Sequence, residues 1–99
     1  MNISKLLEEG RIVLALDGRL DTASAPRLQE VLIPAFDEAG DVTLDFADLA
    51  YVSSAGLRVL LTGLKTAKAR GASMTVRKVS DEIMEVLEMT GFADMLAFE

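Results

Sequence analysis

Two adjacent hydroxyls followed by a glycine, in the run Tyr51-Val52-Ser53-Ser54-Ala55-Gly56-Leu57, are the side chains best placed to do chemistry. They lie between a strand-like segment ending near Phe46 and the periodic run Leu57, Leu60, Leu61, Leu64 and Ala67, whose spacing predicts a helix. A serine at a helix start has two uses. Its oxygen can accept a hydrogen bond from a backbone N–H that lacks an intrahelical partner, and replacing such a cap by alanine costs about 1 kcal/mol. The same position also tolerates added negative charge, because free N–H groups and the positive end of the macrodipole face it. Ser53 and Ser54 are therefore candidate caps and candidate phosphorylation sites, and spacing alone leaves both readings open.

The other chemistry-bearing group is acidic. Asp17, Asp45 and Asp48 fall near strand ends, where carboxylates could hold magnesium or accept a phosphoryl group. An aspartyl-phosphate receiver needs an acidic pair after its first strand and a lysine late in the fold, and Lys78 is the only lysine offered. Solvent-facing carboxylates are the better expectation. Histidine and cysteine are absent, which excludes disulfides, Cys/His zinc sites, Ser-His-Asp triads and thiol nucleophiles. The chain is thus expected to be no enzyme and to need no metal or cofactor. A formal charge of −6, without a run of lysine or arginine, gives no footprint for nucleic acid or an anionic membrane.

Length and composition fit one domain over residues 1–99 with a single core, since 51% of the residues are apolar. Acidic residues close behind Met1 to Leu7 do not match the basic-then-apolar plan of a signal peptide, and no apolar run approaches the roughly 20 residues that span a bilayer. A cytoplasmic location is expected.

Positioning the serines requires an alternation of strands and helices. Ile3 to Glu8 and Arg11 to Asp17 read as a hairpin turning at Glu9-Gly10, the second strand apolar enough to be covered on both faces. Asp21 to Ser24 offer caps, Pro26 suits a first helical turn, and Leu28, Val31, Leu32, Ala35 and Phe36 share a face; Pro34 predicts a kink or change of path before Gly40. Val42, Leu44 and Phe46 alternate as a strand, the helix after Ser54 stops at Gly71, and Met74 to Val79 read as another strand. Ser80-Asp81 cap a third helix carrying Ile83, Val86, Leu87 and Thr90 inward, Gly91 ends it, and Met95 to Phe98 form a short edge strand. Met84, Met89 and Met95 are expected to pack, and Tyr51-Val52 to be exposed as a partner anchor. The order predicts a mixed, mostly parallel α/β sheet whose working edge gathers Asp17 to Ser24, Ala47 to Gly56 and the turn at Val79-Ser80-Asp81.

Two stretches, Gly18-Arg19-Leu20-Asp21 leading into Thr22-Ala23-Ser24-Ala25-Pro26, and Val42 to Phe46 leading to Ser53-Ser54-Ala55-Gly56-Leu57, carry a resemblance over nearly the whole chain. The sequence resembles a stand-alone STAS domain of the bacterial anti-sigma factor antagonist family. The resemblance implies a single STAS-like domain and a protein-binding switch: the unmodified domain binds an anti-sigma factor that has serine-kinase activity and a histidine-kinase-like ATPase fold, and phosphorylation by that partner ends the interaction. It puts Ser54 at the phosphoacceptor position, with Ser53 as the alternative, and Ser53 itself where the family pattern usually has an acidic residue. It places Asp21 and Thr22 beside the acceptor loop, and with Ser24, Tyr51, Ser53 and Gly56 these make up the expected contact surface. Because STAS-like domains also occur beside transport proteins, a constitutive subunit of a lipid- or anion-transport complex is the second expectation. Asp21 and Gly56 each keep an ordinary reading as a loop cap and as a close-packing residue.

Overall fold

The chain reverses at Glu9 and Gly10, both with positive φ, 51° and 82°. Two such residues make the two-residue hairpin turn whose twist matches that of the flanking strands. In the computed structural model, which describes residues 1–99, Asn2–Glu8 (β1) and Arg11–Leu20 (β2) accordingly pair antiparallel, from Glu8 opposite Arg11 to Asn2 opposite Asp17. Helix α1 (Ala25–Glu38), strand β3 (Asp41–Val52), helix α2 (Ser54–Ala69), strand β4 (Ser73–Arg77), helix α3 (Asp81–Met89), a 3-10 turn (Phe92–Asp94) and the two-residue strand β5 (Ala97–Phe98) follow.

The strands lie in sequence order, β1-β2-β3-β4-β5, antiparallel at β1-β2 and parallel thereafter. Each crossover steps one strand in the same direction, so right-handed connections put all three helices on one face. The core lies there: Leu14, Leu44, Phe46 and Val76 from the sheet meet Leu28 and Leu32 of α1, Leu60 of α2, and Ile83 and Leu87 of α3. Helices α1 and α2 approach closely because α2 has a glycine where they meet. A Cβ at Gly63 would stand 2.7 Å from Leu32 Cδ2 and 2.9 Å from Met74 Sδ.

No helix covers the opposite face, yet Val13 and Thr43 are fully buried there. A network of long charged side chains crosses it instead. Arg77 Nε donates to Asp45 Oδ2 at 3.0 Å and Arg77 Nη1 to Glu8 Oε1 at 3.1 Å. Arg11 pairs with Glu8 and Glu99 and reaches Thr43, whose hydroxyl lies 2.8 Å from that of Thr75. The apolar stems of arginine can shield a sheet while their guanidinium groups stay paired. This is the second cover that the apolar β2 sequence demanded. It also accounts for Asp45, which is held by Arg77 with Lys78 at 4.0 Å, and so stands apart from the exposed Asp17 and Asp48.

Several expectations are corrected. β2 and β3 run on to Leu20 and Val52 beyond the part of β3 that pairs with β4, with register shifts after Ala15 and after Gly18, so the first half of Asp17 to Ser24 and nearly all of Ala47 to Gly56 is strand or helix, not loop. α1 continues through Pro34 to Glu38 as one helix, so the chain does not leave its path there; Pro34 and Glu30 both lie on its exposed side, where a carbonyl that loses its helical donor is open to solvent. Met89 and Met95 are 79% and 49% exposed instead of packed, Thr90 is exposed beyond the end of α3, and Val52 is buried at 5% while its neighbour Tyr51 is exposed.

The charged face sets an acid response. Hydrogen bonds from Arg77, then Arg11, hold the Glu8 carboxyl below its ordinary pKa, and Arg11 does the same for Glu99. A carboxyl with a depressed folded-state pKa contributes stability above its unfolded value and loses it as pH falls through the folded value. Thermal melts from about pH 7 down to about pH 2 should therefore show a loss of melting temperature in acid that is shallower in Glu8→Gln. Identical pH profiles for the two proteins would refute this assignment.

Candidate functional site

The end of β2 and the start of α2 meet through the backbone. Ser53 N–H donates to the Leu20 carbonyl at 2.8 Å, which continues the β2-β3 ladder to the last residue before the helix. Ser53 has extended backbone angles, and its Oγ accepts the Gly56 N–H at 3.3 Å, so this serine is the N-cap of α2. Serine and aspartate cap about equally well.

Ser54 differs from its neighbour in each of these respects. It is the first residue of α2, is exposed, and its hydroxyl makes no hydrogen bond within the protein. The first turn of α2 carries no acidic residue, so nothing of like charge occupies the positive end of its dipole. Residue spacing alone leaves the two serines equivalent, and only the resemblance prefers Ser54; the backbone separates them into one engaged cap and one free hydroxyl.

Gly56 is buried beneath this turn. A Cβ there would lie 2.6 Å from Leu20 Cγ and 3.0 Å from the Leu20 carbonyl oxygen, so glycine permits the first turn of α2 to press against the end of β2. It supports the surface from below.

Next to it, Asp21 and Ser24 hold the start of α1 by reciprocal bonds. The Asp21 N–H donates to Ser24 Oγ at 2.9 Å, and Asp21 Oδ1 accepts the N–H groups of Ser24 and Ala23, each at 3.1 Å. Such an exchange satisfies two orphan donors at once. The Ser24 hydroxyl also donates to the Arg19 carbonyl at 2.7 Å. The Ser24 N–H, with smaller contributions from the Ser24 hydroxyl, the Ala23 N–H and Arg19, holds the Asp21 carboxyl below its ordinary pKa. Asp21 thus closes the turn that leads into α1, while Ser24, the N-cap residue, makes no side-chain cap bond and turns its hydroxyl back to the strand.

Thr22 is exposed on this loop and faces a groove of about 760 Å³ between α1 and α2. Ala25, Ile33, Pro34, Ala55 and Val59 give the groove apolar walls, with Glu30 and Arg58 among its charged lining. Sequence reasoning missed this groove, because its two walls come from segments separated by all of β3. Tyr51, 39% exposed, carries the Arg19 guanidinium over its ring at 4.1 Å from the centroid, an exposed cation–π pair on the β2-β3 extension. Neither the groove nor the loop gathers three acidic side chains into a cluster that could hold a metal ion.

The two serines should separate in mutagenesis. Ser53→Ala should lower stability by about 1 kcal/mol by removing the cap, whereas Ser54→Ala should change it by less than about 0.5 kcal/mol. Gly56→Ala should cost about 1 to 3 kcal/mol, as overpacked sites do. Urea unfolding followed by circular dichroism measures all three; an equal loss for Ser53→Ala and Ser54→Ala would contradict the assignment of the cap.

Comparison with known proteins agrees with this architecture. The anti-sigma-B factor antagonist of Bacillus subtilis is 28% identical over 96 residues, covering 97% of this chain and 88% of the relative. The crystal structure of a putative anti-sigma factor antagonist from Thermotoga maritima superposes with a TM-score of 0.89 at 14% identity, covering 97% of this chain and 84% of that one. The Bacillus cell fate determinant SpoIIAA in its phosphorylated form superposes at 0.75 with 15% identity, over 99% and 91% of the two chains. The family model described as Mlab, STAS domain matches residues 4–97, and on that match, with a five-stranded mixed sheet carrying three helices, the chain belongs to the STAS domain family.

Proposed function

We propose that this domain is an anti-sigma factor antagonist controlled by phosphorylation of Ser54. The observation that carries the reading is the division of labour at the start of α2: Ser53 is committed to the cap, while Ser54 presents a free, exposed hydroxyl. In this reading the unmodified surface around Ser54, with Thr22, Tyr51 and the Asp21-Ser24 loop, docks an anti-sigma factor that is also a serine kinase with a histidine-kinase-like ATPase fold. The partner supplies the nucleotide and the catalytic groups. This chain supplies a binding surface and an acceptor, acts in the cytoplasm, and is not itself an enzyme.

The transfer step is simple for this chain. Ser54 Oγ forms a bond to the γ-phosphorus of the partner's nucleoside triphosphate as the bond to the β-phosphate oxygen breaks; the diphosphate leaves and the hydroxyl proton passes to a base on the kinase. The product adds about −1.5 to −2 charge at neutral pH. Inside this domain the added charge meets the positive end of α2. A partner surface shaped to a small neutral hydroxyl meets a bulky anion instead, and burying one unpaired charge costs several kcal/mol, a loss of about a hundredfold or more in affinity. Docking can therefore end without refolding. Support for the reading comes from the named relatives and from the presence among fold neighbours of a phosphorylated form.

The test is incubation with the cognate kinase and ATP, site mapping by mass spectrometry, and titration of the complex. Phosphate should appear on Ser54; Ser54→Ala should dock like the unmodified protein and stay unlabelled, and Ser54→Asp should bind at least about tenfold more weakly. Labelling confined to Ser53, no labelling by an active kinase, or a stable nucleotide-independent assembly with a transport ATPase would overturn the reading.

A further inference from the structure

Arg58 lies one helical turn beyond Ser54 on α2. Residues four apart are neighbours on a helix surface, with Cβ atoms about 6 Å apart, and an anion placed N-terminal to a cation is the favourable order. Arg58 is exposed and its guanidinium has no hydrogen bond or ion pair, whereas Arg11, Arg70 and Arg77 are each tied to carboxylates. It is also the one cation among the residues lining the groove between α1 and α2, where Glu30 is the acidic counterpart. The cation is within reach of the acceptor and has no structural duty.

We propose that Arg58 is the intramolecular counter-ion of phosphorylated Ser54, so that modification places an anion on the docking surface and at the same time withdraws the groove's cation from it. This inference rests on Ser54 being the acceptor. A planar guanidinium can meet two phosphate oxygens at once, and such charge-assisted pairs are among the stronger hydrogen bonds. The pair gives the dianion a partner at the mouth of α2, where the first-turn N–H of Gly56 is already taken by Ser53 Oγ. Modification then changes two features of one face, the charge at residue 54 and the charge along the groove.

The second ionisation of a phosphoserine falls at about pH 6, and a neighbouring cation lowers it by favouring the dianion. The carboxylates on the adjoining elements, Asp21 before α1 and Glu30 on α1, raise it instead and are the same in every variant compared. Phosphoserine is placed at position 54 during translation, without any kinase, and the phosphorus-31 resonance is followed through the second ionisation. It should titrate about half a pH unit lower in the otherwise unmodified sequence than in Arg58→Gln, with Arg58→Lys between them and the difference shrinking in high salt. The Arg58 Nε–H resonance should shift as the dianion forms. Superimposable titration curves for the three proteins, or an unmoved Arg58 resonance, would overturn the inference. Because no kinase enters the experiment, its failure is separate from a failure to find phosphate on Ser54 by mass spectrometry.

Discussion

The hydrogen bond from Ser53 N–H to the Leu20 carbonyl ties the end of β2 to the mouth of α2, and the rest of the site depends on it. The bond fixes where the helix starts. That start commits one serine to the cap and turns the next to solvent. It also brings α2 so near β2 that only glycine fits at position 56, which sets the distance between the loop at Asp21 and the exposed hydroxyl at Ser54. A switch made of one hydroxyl needs such a frame. A partner can distinguish a neutral oxygen from a phosphate only if the surface around it is already in place.

The two faces of the sheet solve the covering problem by different means, and the proposed docking surface falls on one of them. Helices bury the inner face and place their N-termini and intervening groove at the end where β2 and β3 outrun β4. On the outer face Arg11 and Arg77, held by Glu8, Asp45 and Glu99, cover the sheet with side chains alone. The charge in that network is consumed by structure. Arg58, by contrast, is left unpaired one helical turn beyond Ser54, where, under the proposed modification, charge can answer charge.

Much of this was readable in the sequence because local periodicity and local caps carry it. The hairpin at Glu9-Gly10, the cap at Ser80, the stops at Gly71 and Gly91 and the order of the elements all depend on residues close together in the chain. The extensions of β2 and β3 were hidden, since the register shifts beyond Ala15 and Gly18 disturb strict alternation. Long-range pairs such as Glu8 with Arg77 leave no mark in sequence spacing. Met89 and Met95 were misplaced because composition reports the adaptability of methionine but not the direction in which it points. Spacing alone left the cap unassigned between Ser53 and Ser54 for a similar reason: both are serines, a type that caps helices, and only the position of the backbone decides which one does.

The central claim is that the mouth of α2 is preformed and that charge, without refolding, changes what it can bind. Hydrogen exchange at the Ser53 amide tests this most directly, measured in the protein with and without phosphate on Ser54. The account predicts that the Ser53 N–H keeps its protection in both forms, as the bond to Leu20 persists beneath the modified residue. Loss of that protection on phosphorylation, with new exchange spreading into the first turn of α2 and the end of β2, would show that the switch works by unfolding its own frame and would contradict the account.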